Sequence, residues 1–292
     1  MKVDLGPIIT AMVTPFAEDL SVDYDGLVAL AAHLLAHGSN GLVVAGTTGE
    51  SPTLTDDEKV EMFRAVVAAV DGRAPVIAGT GSNDTEHSVQ LTRKAERSGA
   101  DAVLLVTPYY NKPPARGLLL HFRTIAAATS LPVIIYNIPS RCVVNLSPEL
   151  LAELSEVENI VAVKQANPDL EQSRRLRELC DLQLYAGNDD MLFDVLRLGG
   201  EGGICVASHL VGEQMQRVAQ LAKHGDLAGA AALTQRLEPL YAALFATTNP
   251  ILVKTGLALV GRPVGGLRPP LVEAEEAERA VLRTELQRQQ LL

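Results

Sequence analysis

Eight short apolar runs recur along the first three quarters of the chain: Ile8 to Val13, Gly41 to Ala45, Pro75 to Ala78, Ala102 to Val106, Pro132 to Tyr136, Ile160 to Val163, Leu182 to Tyr185 and Gly203 to Val206. Their starts lie about 20 to 35 residues apart, the length of a strand plus a returning helix. Most are continuously apolar rather than alternating, which is how strands covered on both faces read. The intervals carry helix signals. Thr55 and Glu58 form a capping box ahead of a long helical stretch. Ser147 reads as an N-cap, with Pro148 at the first helical position. The Ser98-Gly99 and Leu198-Gly199-Gly200 segments read as helix ends turning into the next strand.

Eight such units predict an α/β chain closed into a parallel (β/α)8 barrel of the TIM type. An open doubly wound sheet is the competing arrangement. It wants a glycine-rich dinucleotide fingerprint after the first strand, and the sequence has none. After about residue 224 the pattern changes, and the stretches 227–246, 250–261 and 273–290 read as helices. The expected organisation is a barrel carrying the active site over 1–224 and a C-terminal helical extension over 225–292.

Composition narrows the partners. The chain is 47% hydrophobic and 21% charged, enough apolar material for a large core. A net charge of −10 argues against a nucleic-acid ligand. No apolar segment approaches the roughly 18 to 20 residues that span a bilayer, and the N-terminus does not read as a signal peptide. Three scattered cysteines, Cys142, Cys180 and Cys205, give no disulfide framework. A reduced, cytoplasmic setting is expected.

One residue breaks the apolar pattern. Lys164 ends the run Ile160-Val161-Ala162-Val163, where an ammonium group has no packing role. At the open end of a sheet, desolvation lowers a lysine's pKa and frees its amine to attack a carbonyl. The bland alternative is a lysine snorkelling into water from a strand end. In a (β/α)8 barrel the chemistry gathers where the strands end. The segments there are Gly46-Thr47-Thr48-Gly49-Glu50, Thr107-Pro108-Tyr109-Tyr110-Asn111, Tyr136-Asn137-Ile138-Pro139-Ser140-Arg141, Lys164 and Gly187-Asn188-Asp189-Asp190. Each alone could be a turn, a half-buried aromatic or a surface charge. Their shared placement on one rim is what those readings do not account for.

These segments, with ITAMVTPF at 9–16 and NPILVK at 249–254, make the chain resemble the dihydrodipicolinate synthase and N-acetylneuraminate lyase family of class I aldolases over essentially its whole length. Thr47-Thr48 and Arg141 are more similar to the synthase branch than to the sialic-acid lyases. The resemblance implies condensation of pyruvate with aspartate β-semialdehyde on the route to diaminopimelate and lysine. It implies Lys164 as the Schiff-base residue, with Tyr136, Thr47 and Tyr110 as a proton relay, Tyr110 reaching into a neighbouring subunit's site. Thr48 is expected to bind the pyruvate carboxylate and Arg141 the aldehyde's carboxylate, while Gly187 and Ile204 line the site through their backbones. No metal or organic cofactor is implied, since an iminium on the lysine is itself the electron sink. A homo-oligomer is expected, a tetramer built as a dimer of dimers. Two readings compete: an aldolase of the same family acting on a sugar-derived 2-keto acid, and a non-catalytic metabolite-binding barrel. Arg141 argues against the first, and the full set of relay residues against the second.

The chain also departs from the family pattern. Cys142-Val143 stands where Thr-Gly is common, Gln165 where an acid follows the lysine, Leu252 where a second proline is usual, and Asn188 where Asp is usual. In lysine-inhibited members an effector pocket matches Ser51, Pro52, Asp56, Lys59, Asn83, His87 and Tyr109. Lys59 would repel a lysine ligand, and His87 replaces a glutamate, so weak or absent inhibition by lysine is expected.

Overall fold

The computed structural model describes residues 3–292. Eight strands alternate with helices in chain order. The first half holds β1 (Ile8–Ala11), α1 (Tyr24–Ala36), β2 (Gly41–Val44), α2 (Asp56–Val70), β3 (Val76–Gly79), α3 (Thr85–Arg97), β4 (Ala102–Val106) and α4 (Ala115–Ala126). There follow β5 (Val133–Asn137), the single turn α5 (Pro139–Cys142), α6 (Pro148–Leu154), β6 (Ile160–Gln165), α7 (Leu170–Leu179), β7 (Gln183–Ala186), α8 (Leu192–Arg197), β8 (Gly202–Cys205) and α9 (Ser208–Lys223). Each strand pairs in parallel with its sequence neighbours, and β8 closes on β1. The expected barrel is what forms.

The strands are apolar on both faces because each face meets a different core. Ile9, Val43, Ile77, Leu104, Ile134, Ala162 and Ile204 fill the barrel interior. Ile8, Leu42, Val44, Val76, Val103, Ile135 and Val163 pack outward under the helices. With a side-chain period of two, Tyr136 follows Ile134 and Lys164 follows Ala162 on the inner face. That alternation aims both polar groups into the barrel.

Local signals behave as the residues dictate. Thr55 accepts from the Glu58 amide while the Glu58 carboxylate accepts from the Thr55 amide, so the capping box forms. Ser147 caps α6 at the Leu150 amide, with Pro148 in the first turn. Strand ends differ slightly from the apolar runs. β5 and β6 each extend past the run, because Asn137 still pairs with Gln165 in the ladder. Lys164 is therefore one residue short of the strand end, which fixes it more firmly than a loop would.

Beyond α9 lie α10 (Leu227–Leu244), α11 (Ile251–Leu259) and α12 (Glu276–Arg288), packed on one another and on α8 and α9. The connecting segments do more than cover helices. Val264 carbonyl accepts from the Phe16 amide, and Arg268 binds the Leu20 and Thr53 carbonyls and Glu58, so the C-terminal region reaches the strand-end rim. Among the described residues, no helix is long and apolar enough to cross a membrane.

Candidate active site

Lys164 and Tyr136 are cross-strand partners in the β5–β6 ladder. Both are almost fully enclosed, at 4% and 5% exposure, and the Lys164 Nζ sits 4.1 Å from the centre of the tyrosine ring. Burial lowers the Lys164 pKa to about 8; the nearby Cys205 and Asp189 oppose that fall, and the Arg141 charge adds to it. Burial pushes the Tyr136 phenol well above its ordinary value, with Arg141 and a hydrogen bond from Thr47 pulling it back and Cys142 adding to the rise. A fraction of the amine is thus uncharged near neutral pH, and the phenol stays protonated beside it.

The turn after β2 brings the two threonines to this mouth. It is tied by hydrogen bonds from the Gly49 amide to the Gly46 carbonyl and from the Glu50 amide to the Thr47 carbonyl. Thr14 donates its hydroxyl to the Gly49 carbonyl at 2.6 Å. Thr48 is buried, and its hydroxyl oxygen accepts from Asn249 Nδ2 at 2.9 Å. Glu50 closes the turn in the left-handed region, at φ 57°. Its carboxylate meets Lys254 Nζ at 2.6 Å and accepts from the Arg268 amide at 2.9 Å.

The remaining expected residues are distributed around this centre. Arg141 sits at the exposed end of α5, with Nη2 donating to the Asn249 carbonyl at 3.3 Å. Gly187 donates its amide to the Gln165 carbonyl at 2.7 Å, and a Cβ there would stand 2.7 Å from that of Ala166. Only glycine lets the chain leaving β7 pass so close to the end of the strand that carries Lys164. Ile204 is fully buried in β8. Tyr110 stands apart. It has φ 68° and is 91% exposed, so a single chain brings together Lys164, Tyr136 and Thr47 but leaves this phenol in solvent.

Four buried residues that the linear pattern did not single out as site residues also meet here. Asp189, which reads as one of several turn formers, accepts from the Val206 and Ala207 amides at 2.8 and 2.7 Å and bonds Cys205. It fastens the end of β7 to the end of β8 beside Lys164. Glu50, Asn249 and Lys254 act across more than 190 positions of sequence, a separation no local signal reveals. Two other lysines near the rim differ from Lys164: Lys112 is exposed, and Lys254 is buried and ion-paired with Glu50.

A cavity of about 560 Å³ opens onto Thr47, Tyr136, Arg141 and Cys142 and continues along Ser51, Pro52, Asp56, Lys59, Asn83, His87 and Tyr109. All seven residues of the expected effector pocket therefore line the same cavity as Thr47, Tyr136 and Arg141. His87 Nε2 lies 2.9 Å from Asp56 and Lys94 Nζ 3.4 Å from it. Lys59 is only 7% exposed, and burial lowers its pKa. The departures find local roles. Gln165 accepts from Asn137 Nδ2 at 2.8 Å within an amide network that includes Asn145. Val143 takes φ 66°, a strained value for a β-branched residue at a place where the family pattern has glycine. Among the described residues, no group of three or more His, Cys, Asp or Glu is arranged to hold a metal ion.

An amine kept partly neutral at the mouth of a parallel barrel puts the chain among barrels equipped for Schiff-base chemistry. Similarity to known proteins narrows the class. The profile of the Dihydrodipicolinate synthetase family matches residues 4–289. The 4-hydroxy-tetrahydrodipicolinate synthase of Heliobacterium modesticaldum is 50% identical over 96% of this chain and 94% of its own. The enzyme of the same name from Desulforudis audaxviator is 49% identical over the full length of both. A crystal structure of DHDPS from Cyanidioschyzon merolae with lysine bound superposes with a TM-score of 0.97 at 44% identity, over 99% of each chain. The chain belongs to the dihydrodipicolinate synthetase family.

Proposed function

We propose that this protein is a class I, Schiff-base-forming lyase that condenses pyruvate with aspartate β-semialdehyde to 4-hydroxy-tetrahydrodipicolinate, in lysine and diaminopimelate biosynthesis. The observation that carries the reading is the buried Lys164 amine against the Tyr136 ring. With a pKa of about 8, roughly a tenth of it is neutral at pH 7, against a few parts in ten thousand for a solvated lysine.

Neutral Lys164 attacks the C2 ketone of pyruvate and forms a carbinolamine. Loss of water gives an iminium, whose positive nitrogen acidifies the C3 methyl. Removal of a C3 proton yields an enamine, which forms the new carbon–carbon bond with the aldehyde. The amino group of the second substrate then displaces Lys164 and closes the ring. Each step moves a proton, and Tyr136 is the general acid and base for them, with Thr47 as its relay partner. Thr48 holds the pyruvate carboxylate by its hydroxyl and amide. Arg141 takes the aldehyde's carboxylate with a planar fork of donors. Gly187 and Ile204 line the site through their backbones.

Tyr110 completes the relay from a neighbouring copy, so the working unit is a homo-oligomer, a tetramer made of two dimers. The exposure of this phenol in one chain favours that reading. Three unpaired cysteines fit a reducing, cytoplasmic compartment.

The test is covalent trapping. Borohydride with pyruvate should add the mass of a reduced pyruvyl group to Lys164, and Lys164→Ala should abolish both adduct and turnover. A fully active Lys164→Ala enzyme would sink the mechanism. Initial rates with aspartate β-semialdehyde beside 2-keto-3-deoxygluconate cleavage decide the second substrate; faster turnover of the sugar acid would overturn it.

A further inference from the structure

The stretch from Asn249 to Lys254, which opens α11, touches the two proposed carboxylate-binding groups, Thr48 and Arg141, and also Glu50 in the same turn as Thr48. Asn249 is 8% exposed and donates Nδ2 to the Thr48 hydroxyl oxygen at 2.9 Å. Its main-chain carbonyl accepts from Arg141 at 3.3 Å. Lys254 pairs with Glu50 at 2.6 Å, with side chains 3% and 0% exposed. Its Nζ also donates to the Gly266 carbonyl at 2.7 Å and lies 4.2 Å over the Phe16 ring.

The donor and acceptor roles have a consequence. A hydroxyl offers one proton and two lone pairs. The amide nitrogen of Asn249 can only donate, so it occupies a lone pair of Thr48 and leaves the hydroxyl proton free. A buried hydroxyl without an acceptor is costly, so that proton is available to an anionic oxygen placed at the turn. This orientation leaves Asn249 Oδ1 buried without a protein partner, and the flipped amide, in which Oδ1 would accept the Thr48 proton, is the arrangement the Asn249→Asp variant tells apart. The Glu50–Lys254 pair acts two residues along the same turn. Glu50 holds a backbone conformation that a glutamate rarely adopts, and such a conformation persists only where the surroundings enforce it. Replacing a buried ion pair as a whole is often neutral for stability, whereas removing one partner alone is costly.

We propose that Asn249 and Lys254 are positioning residues, which act through Thr48 and Glu50 to aim the Thr48 hydroxyl at the carboxylate of the 2-oxo acid. The proposal rests on Thr48 being that carboxylate's donor. It makes the segment after α10 part of the binding apparatus rather than a cover for the barrel.

Three variants test it, each assayed for pyruvate KM, kcat and thermal midpoint. Asn249→Asp keeps the shape but turns the donor into an acceptor, which captures the Thr48 proton. Pyruvate KM should rise about ten- to hundredfold, with a smaller fall in kcat. Thr48→Val should raise it similarly, and adding Asn249→Asp to Thr48→Val should change little more. Lys254→Met combined with Glu50→Gln removes both charges at near-constant volume. It should unfold close to the wild-type temperature yet keep a raised KM, which a purely structural role would not produce. If Thr48→Val leaves KM unchanged, the carboxylate assignment fails. If Thr48→Val raises KM while Asn249→Asp does not, the role of Asn249 is overturned and Thr48 is the donor in that pair. A wild-type KM in the folded double variant overturns the role of Lys254.

Discussion

Lys164 on β6 and Asp189 just after β7 are a buried amine and a buried carboxylate, and the carboxylate's charge raises the amine's pKa against the burial that lowers it. The balance leaves Lys164 at about 8. A lysine is neutral, and nucleophilic, above its pKa. Pyruvate trapping at subsaturating pyruvate should therefore rise with pH through a midpoint near 8. Asp189→Asn removes the opposing charge and should move the midpoint to lower pH. Single-turnover trapping rates from pH 6 to 10 read both, and an unmoved midpoint in a folded Asp189→Asn protein would break the link.

The phenol of Tyr110 lies in solvent while Thr47 and Tyr136 meet at the mouth. If the relay is closed by a neighbouring copy, two inactive chains can repair one another. Tyr110→Phe should lower activity by about a hundredfold or more, and Lys164→Ala should be inactive. Mixed, unfolded and refolded together, they should recover a substantial fraction of wild-type activity in hybrid oligomers. Failure to recover, in mixtures shown by native mass spectrometry to contain hybrids, would place Tyr110 outside the site.

Lys59 lies buried along the cavity shared with Tyr136, and Asp56 is already engaged by His87 and Lys94. That carboxylate is poorly placed to neutralise a second ammonium. Bringing lysine's side chain near Lys59 costs roughly 1 to 4 kcal/mol, depending on the local dielectric. L-Lysine should inhibit weakly or not at all, with initial rates little changed at millimolar concentration. Half-inhibition below a millimolar would show that the pocket accommodates the cation.

His209 is buried and uses both ring nitrogens. Nδ1 donates to the Val206 carbonyl at 2.8 Å, and Nε2 accepts from the Val13 amide at 3.2 Å. Burial holds its pKa down at about 4, and the second bond requires the neutral ring. A depressed histidine contributes stability that is fully present above its unfolded pKa of about 6.5 and lost as pH falls toward 4. Urea unfolding should show that loss, on the order of 3 kcal/mol across the window. His209→Gln should flatten the slope between pH 6.5 and 4; an equal slope in that variant would assign the acid sensitivity elsewhere.

The barrel was legible in the chain because its causes are local and periodic. Eight apolar runs at strand-and-helix spacing leave few ways to bury both faces of each strand, and Thr55, Glu58, Ser147 and Pro148 set their helix starts through neighbours within three residues. Lys164 and Tyr136 could be found because a polar group breaking an inward-facing apolar register has to sit where the barrel opens. Other features needed the fold. Asp189 looked like a turn former until closure of the barrel put two amides of the next strand end against its carboxylate. The grips of Asn249 on Thr48 and of Lys254 on Glu50 join residues about 200 positions apart. Contacts of that kind follow from three-dimensional packing of whole elements, for which neither side chain carries any local trace. The sequence determined which groups this protein has and which strand bears each one; tertiary packing decided which of them are buried together, and so which amine loses its proton.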